Sequence, residues 1–103
     1  MTLREIEELL RKTGLPVEYR AFPEKQAPPL PYICYLVLEN NNFAADGKVY
    51  FSTKNIRVEL YTQFKNEEME RKVEEVLSSF YFQKEEIYIE KEKCYQIIYE
   101  LEI

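Results

Sequence analysis

The chain has 103 residues, 46% hydrophobic and 15% aromatic with nine Tyr, and a formal net charge of −5. That length argues for one domain with one modest core, burying roughly 65% of its extended surface. The acid excess weighs against nucleic acid as the main partner, since phosphate binding calls for a surplus of Lys and Arg on one face.

No apolar run approaches the roughly 20 residues of a membrane span. Met1-Thr2-Leu3-Arg4-Glu5 leads straight into a charged amphipathic pattern, so the expectation is a soluble cytoplasmic protein without a signal peptide. The chain has no His, which removes the commonest general base and the commonest zinc ligand. Its two cysteines, Cys34 and Cys94, sit in apolar strand-like runs and read as buried reduced thiols. A disulfide would require their strands to be neighbours, and a reducing compartment argues against one. No catalytic constellation, metal-ligand spacing or nucleotide loop is present, so no cofactor and no metal are expected.

In chain order, Thr2 and Glu5 have the spacing of a capping box. Leu3, Ile6, Leu9 and Leu10 then share a helical face, and Gly14 and Pro16 end the helix, placed at residues 3–12. Residues 17–22 read as a strand, with Val17, Tyr19 and Ala21 on one side. Residues 23–31 hold four prolines in nine positions, a stiff connector or, in another reading, a Pro-rich ligand. Tyr32 opens the most apolar strand, ending at Glu39. Both its faces are apolar, so it needs two covers: helices on one side, and on the other either the chain itself or a partner subunit.

Asn40, Asn41 and Asn42 favour a polar loop through local side-chain hydrogen bonds. Phe43 comes next, and either folds back onto the core or meets another chain. Asp46-Gly47 signals a turn. Residues 48–53, from Lys48, read as a strand, and Lys54-Asn55 as a tight link. Ile56, Val58 and Leu60 then alternate with Arg57, Glu59 and Tyr61, the first set toward helices and the second away. Asn66 is an N-cap, with Glu67, Glu68 and Glu70 at the positive end of a helix placed at residues 67–79. Phe82, Ile87 and Ile89 lie in a strand that turns at Lys91-Glu92-Lys93. In the last strand Tyr95, Ile97, Tyr99, Leu101 and Ile103 face one way, and Gln96, Ile98, Glu100 and Glu102 the other.

The order is α-β-β-β-β-α-β-β. It implies an α+β fold: an antiparallel or mixed sheet of four to six strands, with two helices on one face. The other face is expected to carry Arg57, Glu59, Tyr61, Tyr88, Glu100 and Glu102, open to water or to a neighbouring subunit.

From FAADGKVYFSTKNIRVELYT outward the sequence resembles the small tail-completion proteins of siphophages and prophages of Gram-positive bacteria. The likeness takes in the helix ending Thr13-Gly14-Leu15-Pro16, the strand entry Leu30-Pro31-Tyr32, the Asn-rich turn, the acidic helix and the final hairpin. It implies a tail terminator-like fold and a ring, commonly hexameric, that caps the finished tail tube. The implied partners are copies of the chain, the tail-tube protein and the head connector or neck protein. The implied locations are the host cytoplasm during assembly and the virion neck or tail. Asn40, Asn41, Asn42, Phe43, Asp46, Lys48, Arg57, Glu59 and Tyr61 are the candidate interface residues.

Three alternatives stay open. The first is another head–tail joining protein. The second is a small acidic regulator of a host protein. The third is an enzyme using carboxylates such as Asp46, Glu59 and Glu100. With 19 acids in the chain, chance carboxylate pairs are common, and no enzymatic activity is expected.

Overall fold

The computed structural model describes residues 1–45 and 47–103, and the side chains of all of these except residues 43–45 and 48–51. The expectation for Asp46, and those for what the Phe43 and Lys48 side chains meet, lie outside the described residues.

Helix α1 (Leu3–Arg11) starts as its capping box requires. The Glu5 amide donates to Thr2 Oγ1 at 3.1 Å, and the Thr2 amide donates to Glu5 Oε1 at 3.2 Å, so two first-turn donors are satisfied. It ends before Gly14, at φ 83°, a conformation that glycine adopts without a Cβ penalty. Strand β1 (Val17–Tyr19) is shorter than residues 17–22. Arg20 at φ 64° breaks it, while the Arg20 amide still donates to the Tyr35 carbonyl at 2.7 Å.

Strand β2 (Tyr32–Ala45) runs parallel to β1, pairing Val17 with Ile33 and Tyr19 with Tyr35. Adjacent parallel strands need a crossover of about a dozen residues. The proline connector supplies it. It stays on the sheet face away from the helices, where Phe22 packs edge-on against Tyr32 with centroids 4.9 Å apart. The second cover of β2 is therefore partly the chain's own connector, and Cys34 is buried on that face.

Strand β3 (Lys48–Thr62) is one continuous strand antiparallel to β2. This corrects two expectations. Lys54-Asn55 is not a link: it pairs with Asn40 and Glu39, and Lys54 also exchanges two backbone hydrogen bonds with Ile103. The Asn triplet is not a loop: Asn40, Asn41 and Asn42 pair with Lys54, Thr53 and Ser52. Ladder pairing overrides the local turn preference of Asn. The two strand segments expected on either side of residues 54–55 thus join into one.

Helix α2 (Glu67–Val76) opens with Asn66 Oδ1 accepting from the Met69 amide at 3.1 Å. Its last turn loosens after Val76, short of residue 79, but Leu77 stays fully buried. Strands β4 (Phe82–Ile89) and β5 (Cys94–Glu102) form the closing hairpin. The sheet order is β1-β2-β3-β5-β4, mixed by the parallel pairing of β1 with β2.

Both helices cover one face. Ile6, Leu10, Ile33, Ile56, Val58, Leu60, Val73, Leu77, Ile97 and Tyr99 are completely buried there. At about 25 cal/mol per Å² of apolar area removed from water, this layer is the main stabilising contribution. Tyr88 lies on the helix side, not on the open face. It pairs with Tyr95, their rings 5.0 Å apart, and Tyr95 is in line with Thr62, next to Leu60 on the core side. The four-residue turn between β4 and β5 sets that register, and a one-residue difference moves every side chain to the other face.

Candidate functional site: an open sheet face and a two-stranded arm

Strands β2 and β3 outrun the rest of the sheet. β5 ends opposite Asn55, which pairs with Glu39 on the other side. Among the described residues, only β3 therefore lies beside residues 40–45. At roughly 3.3 Å per residue they extend about 20 Å beyond the body. The molecule is accordingly 51 Å long and 23 Å thin, and its radius of gyration is 15.0 Å, against about 13 Å for a compact chain of this size.

The base of this arm is fixed. The register shifts between Val37 and Glu39, leaving Leu38 as an extra residue in β2, 41% exposed. Such a bulge bends a strand and re-aims the residues beyond it. It also turns Glu39 and Asn41 to the open face. There Asn41 Nδ2 donates to Asn55 Oδ1 at 3.1 Å and to Glu102 Oε2 at 2.9 Å. Thr53 Oγ1 donates to the same Glu102 oxygen at 2.7 Å, and Asn55 Nδ2 donates to Glu39 Oε1 at 2.6 Å. Glu102, from the last strand, thereby ties both arm strands to the sheet body. Asn40 and Asn42 point to the opposite side of the arm and are exposed.

Below the arm, Arg57, Glu59 and Tyr61 line the open face of β3, as their alternation requires. Arg57 donates from Nε and a terminal nitrogen to Glu100 Oε1, at 3.2 and 2.8 Å. Glu59 is only 7% exposed. Its carboxylate accepts from Tyr61 Oη at 3.3 Å and from Gln96 Nε2 at 2.8 Å. Burial pushes the Glu59 carboxyl above the ordinary value; these hydrogen bonds and the nearby Arg57 charge offset only part of that rise. Burial likewise pushes Tyr61 up, helped by the Glu59 charge. The Cys34 thiol goes up to about 11 for the same main reason, burial, which makes it a packed side chain rather than a nucleophile.

The structure thus brings Arg57, Glu59 and Tyr61 together and puts the Asn triplet farther along the sheet, with Asn41 alone facing the same side. Glu39, Thr53 and Asn55 were not singled out by their sequence, and for Glu102 the alternation indicated the open face but not the tie to the arm. They become visible only once the bulge and the β3–β5 register are known. So does an open depression of about 480 Å³ at the arm's base, lined by Leu38 and the 90% exposed Tyr81 together with Glu39, Asn55, Glu100 and Glu102.

Among the described residues there is no cluster of three or more His, Cys, Asp or Glu able to hold a metal ion. Among them also, no helix is long and apolar enough to cross a membrane. A second charged cluster among the described residues is on the helix side. Glu70, 3% exposed, is held by Lys65 and Lys84, each at 2.8 Å, and Lys84 also meets Glu74 at 2.8 Å. Burial works to raise the Glu70 carboxyl, but the two lysines win and hold it below the ordinary value. The group ties α2 to β4, so its part is structural.

The fold class is α+β, a five-stranded mixed sheet backed by two helices, with a projecting hairpin. No protein-family model matches the sequence, and no curated protein does. A chain in the structure of the virion of a native gene transfer agent particle shares the fold. Its TM-score is 0.64 at 14% identity, covering 97% of this chain and 85% of that one.

Proposed function

We propose that this protein is a structural component of a phage-like virion, a tail terminator or tail-completion protein that forms a ring, caps the tail tube and joins it to the head. Its partners are then copies of itself, the tail-tube protein and the head connector or neck protein, and it acts by shape, without catalysis. The observation that carries the reading is the fold shared, over 97% of the chain, with a chain of a gene transfer agent virion. Two features of the geometry support it. The open sheet face, with Arg57, Tyr61 and the depression beside Tyr81, offers the mixture of aromatic, arginine and polar groups that protein interfaces favour. The arm carries two strands clear of the body, where another subunit can reach both. Assembly takes place in the host cytoplasm, and the finished ring sits in the virion neck.

The test is to remove the protein from a producing strain and measure tails by electron microscopy. Tails of uncontrolled length, or heads without joined tails, are expected. Particles with normal tails of uniform length would refute the assignment.

A further inference from the structure

We infer that the arm works by strand addition: the outer edge of β2 in the arm, residues 40–45, pairs main chain to main chain with the outer edge of β4 in a second copy. This rests on the ring reading above and names the contact that would build the ring.

An edge strand presents a row of unpaired amides and carbonyls, and proteins usually blunt such edges. β1 is blunted by its length of three residues. The arm is bent by register shifts at Leu38 and between Phe43 and Ala44, but its outer edge carries no other guard. Among the described residues no third strand pairs with residues 40–45, and that segment contains no proline and no formal charge. An isolated two-stranded ribbon is marginal in water. Here its base is nonetheless held in one direction by the Glu102 hydrogen bonds, so the edge is presented rather than left slack.

Pairing needs a second long edge, and β4 provides it, with eight residues exposed almost throughout. Its charges are a weaker guard than its sequence implies. Lys84 is paired with Glu70 and Glu74, and Glu86 with Lys65 at 2.6 Å, all within the chain. An uncharged strand such as residues 40–45 adds no like charge against them.

Topology and charge select arm-to-β4 over the symmetric alternatives. The order β1-β2-β3-β5-β4 puts the outer edge of β2 on one side of the sheet and β4 on the other. Joining them is a head-to-tail contact, the kind that closes into a ring, whereas arm-to-arm or β4-to-β4 contacts stop at a two-fold dimer. Residues 63–103, which include β4, hold 11 Glu against 6 Lys and Arg, the whole of the net charge of −5. A β4-to-β4 contact would set two such acidic surfaces together. The arm-to-β4 contact sets one against the balanced side of its neighbour.

The experiment uses Asn42→Cys and Tyr88→Cys full-length chains, both positions on the helix side of a sheet that would run on from one copy to the next, alone and mixed, assembled with the tail-tube protein and treated with a short bismaleimide. The native Cys34 and Cys94 are buried, and wild-type chain gives the background. Light scattering reports the ring separately. The expected result is a covalent dimer in the mixture and none above background in either variant alone. A ring that gives no cross-link in the mixture, or one linked Asn42→Cys to Asn42→Cys, overturns the arm-to-β4 contact while leaving the ring standing. Wild-type chain that stays monomeric throughout overturns the ring and the contact with it.

Discussion

At the scale of single residues, two buried carboxylates have opposite effects on stability. Glu70 is held ionised by Lys65 and Lys84, its carboxyl below the ordinary 4.5. A depressed folded-state value stabilises above the unfolded value, and the gain is lost as pH falls through the folded one. Glu70→Gln should therefore cost about 1–3 kcal/mol at pH 7, since it leaves two part-exposed lysines facing a neutral group, and progressively less in acid. Glu59 is the reverse case, buried on the open face with no ion-pair partner of its own among the described residues, its carboxyl above the ordinary 4.5. A raised carboxyl favours the folded state only while protonated, so stability falls as pH rises from the unfolded value through the folded one. Glu59→Gln should raise the melting temperature at pH 7, and the gain should vanish below about pH 4. Thermal unfolding across that range checks both signs at once.

At the scale of elements, the helices were legible because their signals are local. Thr2, Glu5, Gly14 and Asn66 each satisfy or stop a turn within a few residues. The alternation of Ile56, Val58 and Leu60 was legible for the same reason. The arm was not. Three consecutive Asn carry a turn preference that only a partner strand overrides, and the bulge at Leu38 breaks the period-two pattern that would have revealed it. The face of Tyr88 was lost to a turn length, and the tie to Glu102 spans 61 positions, beyond any local signal. That tie gives a prediction of its own. Glu102→Ala removes the acceptor shared by Asn41 and Thr53 but touches no core side chain. Amides of residues 40–45 and 48–53 should exchange faster with solvent, while stability changes by no more than about 1 kcal/mol. Loss of protection throughout the sheet would mean the arm is not a separate unit.

At the scale of the whole molecule, the proposed ring role asks a helix-backed sheet with a fixed base and a long ribbon to join copies. The charge is divided accordingly, with acid concentrated on the α2, β4 and β5 side and balance on the side of α1, β1 and the arm. Deleting residues 41–46 alone would strip one arm strand and leave its partner unpaired, so a clean removal takes out residues 41–53 together, replaced by an Asn-Gly turn. The core layer lies wholly outside that segment. Tail length, measured by electron microscopy in particles assembled with this trimmed chain, is the most direct test of the account. Folded, soluble protein that no longer caps tails, leaving them overlong or unjoined to heads, is the predicted result. Tails of normal, uniform length would contradict it.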